Sequence, residues 1–116
     1  MPFLDTSQLP QDERRPGWLG RYFHSQTLTF AHWEFKAGAD IHAHSHEQEE
    51  VWQVLEGELE VTIGGETRIA GPGTVAMVPP HTTHSVVARS DGRAIVTDFP
   101  LRPEMAGPRL NGSNAR

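Results

Sequence analysis

Hydrophobic and polar positions alternate over short stretches in the middle of the chain. Residues 58–63, ELEVTI, show this most clearly, because Leu59, Val61 and Ile63 are separated by polar residues. A period of two predicts a strand that is buried on one face and wet on the other. Stretches of this kind, rich in Val, Ile, Thr and aromatic residues, predict strands at 18–25, 28–36, 40–46, 50–55, 58–63, 67–70, 74–78, 84–89 and 93–99.

Turn-forming residues separate these stretches at regular intervals. The dipeptide GG at 64–65 lies between two predicted strands and indicates a tight hairpin with positive φ angles. GPG at 71–73 and DG at 91–92 mark two further turns. No helical period of 3.6 residues is present in this region. Many short, evenly spaced strands predict an all-β sandwich or barrel.

The two ends of the chain differ from the middle and suggest three segments. We expect an N-terminal arm at 1–17, a barrel at 18–99 and a C-terminal tail at 100–116, because both ends are rich in proline and scattered charge. The ends are either mobile arms, or the MPFL segment packs its apolar residues on a partner subunit. Since a small barrel leaves an outer sheet face to cover, we expect a homodimer.

Composition narrows the class of protein. The chain has 116 residues, 36% of them hydrophobic and 22% charged, which is typical of one globular domain. Its net charge is −5 and no Lys/Arg run is present, so no nucleic-acid partner is expected. Without cysteine, disulfides and thiolate metal sites are excluded. No signal-peptide core or membrane-spanning run is found, so we expect a cytoplasmic protein without a membrane partner.

The segment HAHSHEQEE at 42–50 places three histidines on alternate residues before a run of acids. On an unbroken strand their side chains share one face, with neighbouring Cα atoms about 6.7 Å apart and the outer two about 13 Å apart. One metal ion would therefore take an adjacent pair of histidines and a carboxylate. Spacing alone leaves two sets open: His42 and His44 with Glu49, or His44 and His46 with Glu50.

Residues 38–57, GADIHAHSHEQEEVWQVLEG, resemble the first sequence motif of the cupins, G-x5-H-x-H-x3-E-x6-G, at every defined position. Residues 73–88, GTVAMVPPHTTHSVVA, resemble the second motif, G-x5-P-x-G-x2-H-x3-N, with Gly73, Pro79 and His84 in place. His81 stands where the family has glycine and Ala88 where it has asparagine. The resemblance covers residues 28 to 99 and identifies the chain as similar to a small single-domain cupin.

This resemblance implies a jelly-roll barrel with one divalent metal ion bound inside it. The implied ligands are His44, His46, Glu50 and His84. Such a donor set suits Fe, Mn, Ni, Zn or Cu better than Ca or Mg, and we favour Fe or Mn. The family's range of reactions implies a metal-dependent enzyme of the dioxygenase (oxidoreductase) or isomerase type, with a small organic substrate. The alternative is a non-catalytic cupin that binds a ligand or metal, and the sequence names no general base.

Other residues are expected around this site. His42 is predicted at its rim, Glu49 as a hydrogen-bond partner of a ligand histidine, and His81 at the pocket mouth. Candidate pocket-lining residues are Trp33, Phe35, Trp52, Gln53, Met77 and Phe99. No cationic residue is expected to clamp an anion, since Arg21, Lys36, Arg68, Arg89 and Arg93 all suit the surface. This favours an aromatic or neutral substrate.

Overall fold

The computed structural model describes residues 2–111, and nearly all regular structure in that range is β-strand. One 3-10 turn, Thr6–Gln8, precedes the first strand. The strands are β1 (Asp12–Arg15), β2 (Trp18–His24), β3 (Thr29–Phe35), β4 (Asp40–His44), β5 (Glu49–Glu56), β6 (Leu59–Ile63), β7 (Glu66–Ala70), β8 (Val75–Val78), β9 (His84–Ala88) and β10 (Gly92–Phe99). The all-β prediction is confirmed.

The strands form two sheets in which the neighbours pair antiparallel. The larger sheet has the order β1-β2-β3-β10-β5-β8, and the smaller has the order β4-β9-β6-β7. Strands adjacent in a sheet are often far apart in sequence, as with β3 and β10 or β5 and β10. The predicted GG turn joins β6 to β7, and Gly64 has a φ of +60°.

Alternate residues of the strands point into one shared core. In β2 and β3 every second residue is buried, as the period of two requires. Trp18 is fully buried at the centre, with Trp33 and Trp52 edge-on to it at ring-centroid distances of 5.8 and 5.9 Å. In β6, Leu59 and Val61 are buried and the polar residues between them are partly exposed, as the alternation predicts.

Two segments differ from the predicted strands. The strand predicted at 40–46 ends at His44, and its pairing with β9 shifts register between Ile41 and His44. The three alternate histidines therefore do not lie on one unbroken strand. The segment expected as an N-terminal arm contains β1, which pairs with β2.

The segment after β10 runs back along the larger sheet. Met105 is buried in the core, and the N–H of Leu110 donates to the carbonyl of His24 over 2.6 Å. Residues 112–116 of the predicted tail and Met1 of the predicted MPFL arm lie outside the described residues. Phe3 is 84% exposed, and its packing on a partner subunit stays a prediction. No helix between residues 2 and 111 is long and apolar enough to cross a membrane.

Candidate metal centre

Three histidines meet where the smaller sheet and the loop after β4 come together. His44 ends β4 and pairs directly with His84, which begins β9, so their rings share one face at a centroid distance of 4.3 Å. The ring of His46, in the loop, lies 5.5 Å from that of His44 and 5.0 Å from that of His84. One ring nitrogen from each residue lies within 4.8 Å of the other two.

Backbone carbonyl groups orient all three imidazole rings. Nδ1 of His44, His46 and His84 lies 2.9, 3.1 and 2.9 Å from the carbonyl oxygens of His42, Gln48 and Thr82, respectively. A carbonyl oxygen only accepts hydrogen bonds, so each Nδ1 carries a proton and donates it. In the neutral tautomer each Nε2 then keeps its lone pair for a metal ion, which is the usual arrangement around ligand histidines.

Glu50 of β5 brings a carboxylate to the same point from the larger sheet. Its Oε1 lies 2.9 Å from Nε2 of His46, and its Oε2 lies 3.5 Å from Nε2 of His84. The indole N–H of Trp52, two residues further along β5, donates to Oε2 and fixes the carboxyl group. We refer to His44, His46, Glu50 and His84 as the His–Glu cluster.

Burial and close contacts shift the pKa values of the carboxyl groups in opposite directions. Burial by itself raises the pKa of Glu50, but its contacts with His46, His84 and Trp52 outweigh burial and hold the pKa well below its usual range. For Asp98 of β10, burial and then the negative charge of Glu50 raise the pKa to about 8. Glu50 is therefore the ionised member of this pair, and Asp98 retains its proton near neutral pH.

The imidazoles of the cluster also respond to burial and charge. Burial lowers the pKa of His44, and the neighbouring His84 and His46 lower it further. Burial likewise acts to lower the pKa of His84, but the Glu50 carboxylate and the Thr82 carbonyl more than compensate and raise it. The Glu50 carboxylate is therefore the main local charge that acts on His84.

The donor set fits a divalent transition metal ion. Nε2 of His84 is buried and has no hydrogen-bond partner among residues 2–111. Lone pairs on Nε2 of His46 and on the Glu50 carboxylate face each other across 2.9 Å, and two acceptors repel unless a cation or proton lies between them. Imidazole nitrogens with one carboxylate oxygen suit Fe, Mn, Ni, Zn or Cu.

Positive φ angles explain the glycines that frame the cluster. Gly38, Gly57 and Gly73 have φ angles of +88°, +79° and +86°, in the left-handed region that favours glycine. A Cβ atom at Gly57 would also collide with the carbonyl oxygen of Asp91. His81 has a φ of +61°, so it adopts the glycine conformation that the second motif requires, and its N–H donates to the carbonyl of His46 over 2.7 Å.

A cavity of ≈190 Å³ opens beside the His–Glu cluster. Trp18, Trp33 and Trp52 line it together with apolar residues of both sheets, and Trp33 and Trp52 are among the residues predicted for the pocket. The polar part of the lining includes Asp98 and three arginines, Arg14, Arg15 and Arg102. The expectation that no cation faces the site is therefore wrong, because these three arginines line the cavity.

Asp98 and Arg102 are the functional candidates that sequence reasoning missed. Asp98 is 3% exposed, and its Oδ1 has no hydrogen-bond partner among residues 2–111. Arg102 NH1 lies 3.7 Å from Asp98 Oδ2 and 3.9 Å from Glu50 Oε1. An acid on the buried face of an apolar strand was the available signal, because Asp98 alternates with the buried residues Val96 and Ala94.

Several predicted pocket residues lie elsewhere. Phe35 is buried in the core against Trp18 and does not line the cavity. The remaining three point away from it because they occupy the outward positions of their strands: Gln53 is exposed, Met77 is 51% exposed and Phe99 is 50% exposed.

The three polar residues predicted around the site also have defined positions. His42 lies at the cavity lining, where its Nδ1 accepts a hydrogen bond from Arg15 over 3.0 Å. Glu49 pairs with Phe99, and the Nδ1 partners of the clustered histidines are backbone carbonyls instead of Glu49. His81 is exposed and does not line the cavity, but its backbone holds the His46 loop.

Comparison with known families identifies the fold and the class of protein. The profile of the cupin domain matches residues 31–100, which is more than half of the chain. The chain belongs to the cupin family, and its two antiparallel sheets form the jelly roll that the resemblance implied. A search of curated proteins found no match.

Solved structures agree with this assignment. An RmlC-like cupin from Shewanella frigidimarina NCIMB 400 is 27% identical with a TM-score of 0.84, covering 90% of this chain and 95% of that one. KdgF from Halomonas sp. is 28% identical with a TM-score of 0.85, covering 91% and 99%. A variant of Bacillus subtilis oxalate decarboxylase, 21% identical with a TM-score of 0.73, shares the fold over 84% of this chain and 29% of its own.

Proposed function

We propose that this cupin is an enzyme that uses one divalent metal ion to transform a small organic molecule. The observation that carries the proposal is the convergence of three oriented imidazoles and the Glu50 carboxylate at the wall of a cavity. His44, His46, Glu50 and His84 are the proposed ligands. When bound, the ion would act as a Lewis acid that polarises a substrate oxygen and stabilises negative charge.

Iron and manganese are the metals that we favour. The donor set of imidazoles and a carboxylate accepts both, and their higher coordination numbers leave positions open beside four protein ligands. Bacillus subtilis oxalate decarboxylase, which shares the fold, has Mn(II) centres. That similarity supports manganese as the first metal to test.

Asp98 is the proposed proton-transfer residue. Its carboxyl group is buried at the cavity wall, close to both His46 and Glu50, and one of its oxygens has no hydrogen-bond partner among residues 2–111. Arg102 contacts the other oxygen and holds the carboxyl group in place. A protonated carboxyl group so placed can give its proton to one atom of a substrate and then take a proton from another atom, which restores it. We therefore favour an isomerase-type reaction over a dioxygenase.

The first test of this proposal is elemental analysis of protein purified without a histidine tag. We expect about one Mn or Fe per chain in the wild type and none in His84→Ala. His42→Ala is the matched control, since His42 lies beside the cluster but contacts Arg15 instead. Loss of the metal in His42→Ala with retention in His84→Ala would contradict the ligand set. A wild-type protein that takes up no metal would favour a non-catalytic binding cupin.

The second test separates isomerase from dioxygenase. The manganese-loaded and iron-loaded proteins are incubated with small hydroxy and keto compounds in D2O, and deuterium incorporation is followed by NMR. Asp98→Asn should retain the metal and lose the exchange. Oxygen consumption without deuterium incorporation would contradict the isomerase proposal and favour a dioxygenase.

We also propose that two copies of the chain associate through the outer face of the larger sheet. A cross-strand row of Phe23, Phe30, Thr97, Val51 and Met77 crosses that face and is mostly apolar. Exposed apolar rows on a sheet commonly mark association surfaces. We expect light scattering to give twice the chain mass of 12.9 kDa. Met77→Asp should lower that mass towards the monomer, and a monomeric wild type would contradict the proposal.

A further inference from the structure

Two adjacent arginines of β1 line the cavity, although neighbours on a regular strand point to opposite faces. The pairing of β1 with β2 explains this. Glu13 lies opposite Leu19 and Arg15 opposite Trp18, so Arg14 is an extra residue with no partner on β2. Such a bulge turns side chains out of the regular alternation, and bulges of this kind often occur beside active sites.

These two arginines form no close ion pair with a carboxylate. Neither Arg14 nor Arg15 has an ion-pair partner within 4.0 Å among the residues that the structure describes. The third arginine of the cavity, Arg102, lies within that distance of Glu50, Asp98 and Glu104. The negative charge inside the cavity is therefore balanced by Arg102.

The polar partner of Arg15 leaves its positive charge in place. NH1 of Arg15 donates to Nδ1 of His42 over 3.0 Å, so this ring accepts at Nδ1 and carries its proton on Nε2. Because β1 belongs to the larger sheet and β4 to the smaller, the contact joins the two sheets across the cavity. The contact holds the guanidinium at the lining and supplies no negative charge.

We propose that Arg14 and Arg15 form an anion subsite that binds a carboxylate group of the substrate. A planar guanidinium matches a carboxylate through two parallel hydrogen bonds, which favours a carboxylate over other anions. This inference rests on the proposed function, because the bound acid is a substrate only if the protein is an enzyme. The neutral or aromatic substrate favoured by the sequence is replaced by a small organic acid. The three tryptophans of the lining contact its apolar part.

The test measures binding without requiring turnover. All three tryptophans of the chain line the cavity, so intrinsic fluorescence reports its occupancy. Lactate, malonate and succinate are titrated into zinc-loaded and metal-free protein, with succinamide as the neutral counterpart of succinate and inorganic phosphate as a second anion. The variants are Arg14→Gln and Arg15→Gln. Arg109→Gln removes the same charge from an exposed position outside the cavity and is the matched control.

We expect at least one of the three acids to bind with an affinity that falls as salt rises. Arg14→Gln and Arg15→Gln should each lower the affinity for that acid about tenfold or more, because hydrogen bonds to a charged group are lost. Arg109→Gln should change the affinity less than about twofold. The variants should rank in the same order of affinity when the protein is free of metal. Both cavity variants should bind metal like the wild type.

Four results would overturn the subsite. In the first, none of the acids binds, and in the second, succinamide binds as tightly as succinate. In the third, Arg109→Gln loses as much affinity as the cavity variants. In the fourth, binding of the acid requires zinc but neither arginine. Phosphate binding that depends on both arginines, with no binding of the acids, would also overturn the carboxylate assignment. A protein that binds an acid through both arginines but takes up no metal would contradict the proposed function while leaving the subsite intact.

Discussion

His44 and His84 face each other as a directly paired couple on neighbouring antiparallel strands, with ring centroids 4.3 Å apart. They are forty residues apart in sequence, and the register of β4 with β9 alone makes them neighbours. The register shift before His44 is what brings this residue opposite His84, because the register of Asp40 and Ile41 would otherwise place Ala43 there. A two-residue change in the pairing of His44 would place His42 there instead.

Removing a bound metal ion should destabilise the protein. Ligands that bind only the native state stabilise it by about 2.7 kcal/mol when their concentration is 100 times the dissociation constant. For a chain of this size we expect the melting temperature of the manganese-loaded protein to fall by about 10 °C on adding a chelator. Differential scanning fluorimetry measures this shift. His84→Ala should melt at the same temperature with and without chelator, and a shift in that variant would place the ion elsewhere.

Trp52→Phe should lower metal affinity while keeping the fold. The substitution preserves an aromatic ring in the core but removes the indole N–H that donates to Glu50. Partners of ligand side chains typically contribute about 10- to 100-fold in metal affinity. We therefore expect a loss of about tenfold, measured by competition with a coloured chelator. Trp33→Phe, in the same cavity but without a hydrogen bond to Glu50, should bind metal like the wild type.

Thr29→Val should destabilise the chain by about 1–3 kcal/mol, because it leaves two buried groups unpaired. Nε2 of His24 donates to the Met105 carbonyl, so Nδ1 accepts from the Thr29 hydroxyl, and that hydroxyl accepts in turn from the Arg102 N–H. The expected loss is measured by urea denaturation. Thr27→Val makes the same replacement of a hydroxyl by a methyl group at an exposed threonine, and it should lower the free energy of unfolding much less. Equal costs would show that the hydroxyl of Thr29 has no special role.

His81→Gly should stabilise the protein by about 1 kcal/mol. The left-handed backbone at His81 strains any residue with a Cβ atom by about 1–2 kcal/mol, and the greater freedom of glycine when unfolded offsets part of that gain. The N–H that holds the His46 loop is retained, so metal content should not change. Thermal melts measure the gain. His81→Val should destabilise the protein, and equal melting of both variants would contradict the argument.

The fold and the core of the candidate site were predictable because their signals are local. A period of two specifies strands, and the GG dipeptide specifies a hairpin, since both depend on neighbouring residues alone. Spacing left two histidine registers open, and the resemblance to the cupin motif, with its framing glycines, favoured His44, His46 and Glu50. The structure gives Gly38 and Gly57 positive φ angles, which other residues avoid.

The lining of the cavity was less predictable, because an apolar residue fits either face of a strand. Met77 and Phe99 are as apolar as Trp52, yet they point outwards, and only the pairing of β8 and β10 with β5 determines this. Asp98 lies opposite Glu50 through the pairing of β10 with β5, and Arg102, shortly after β10, contacts both carboxyl groups.

The sequence by itself determined the strands, the turns and the family frame in which His44, His46, Glu50 and His84 stand. Tertiary structure decided which side chains share the cavity with them. The β1 bulge lets both Arg14 and Arg15 line the cavity, and antiparallel pairing places Asp98 beside Glu50. The physical reason is that strand conformation depends on local backbone preferences, whereas register and bulges depend on how distant strands bury their faces together.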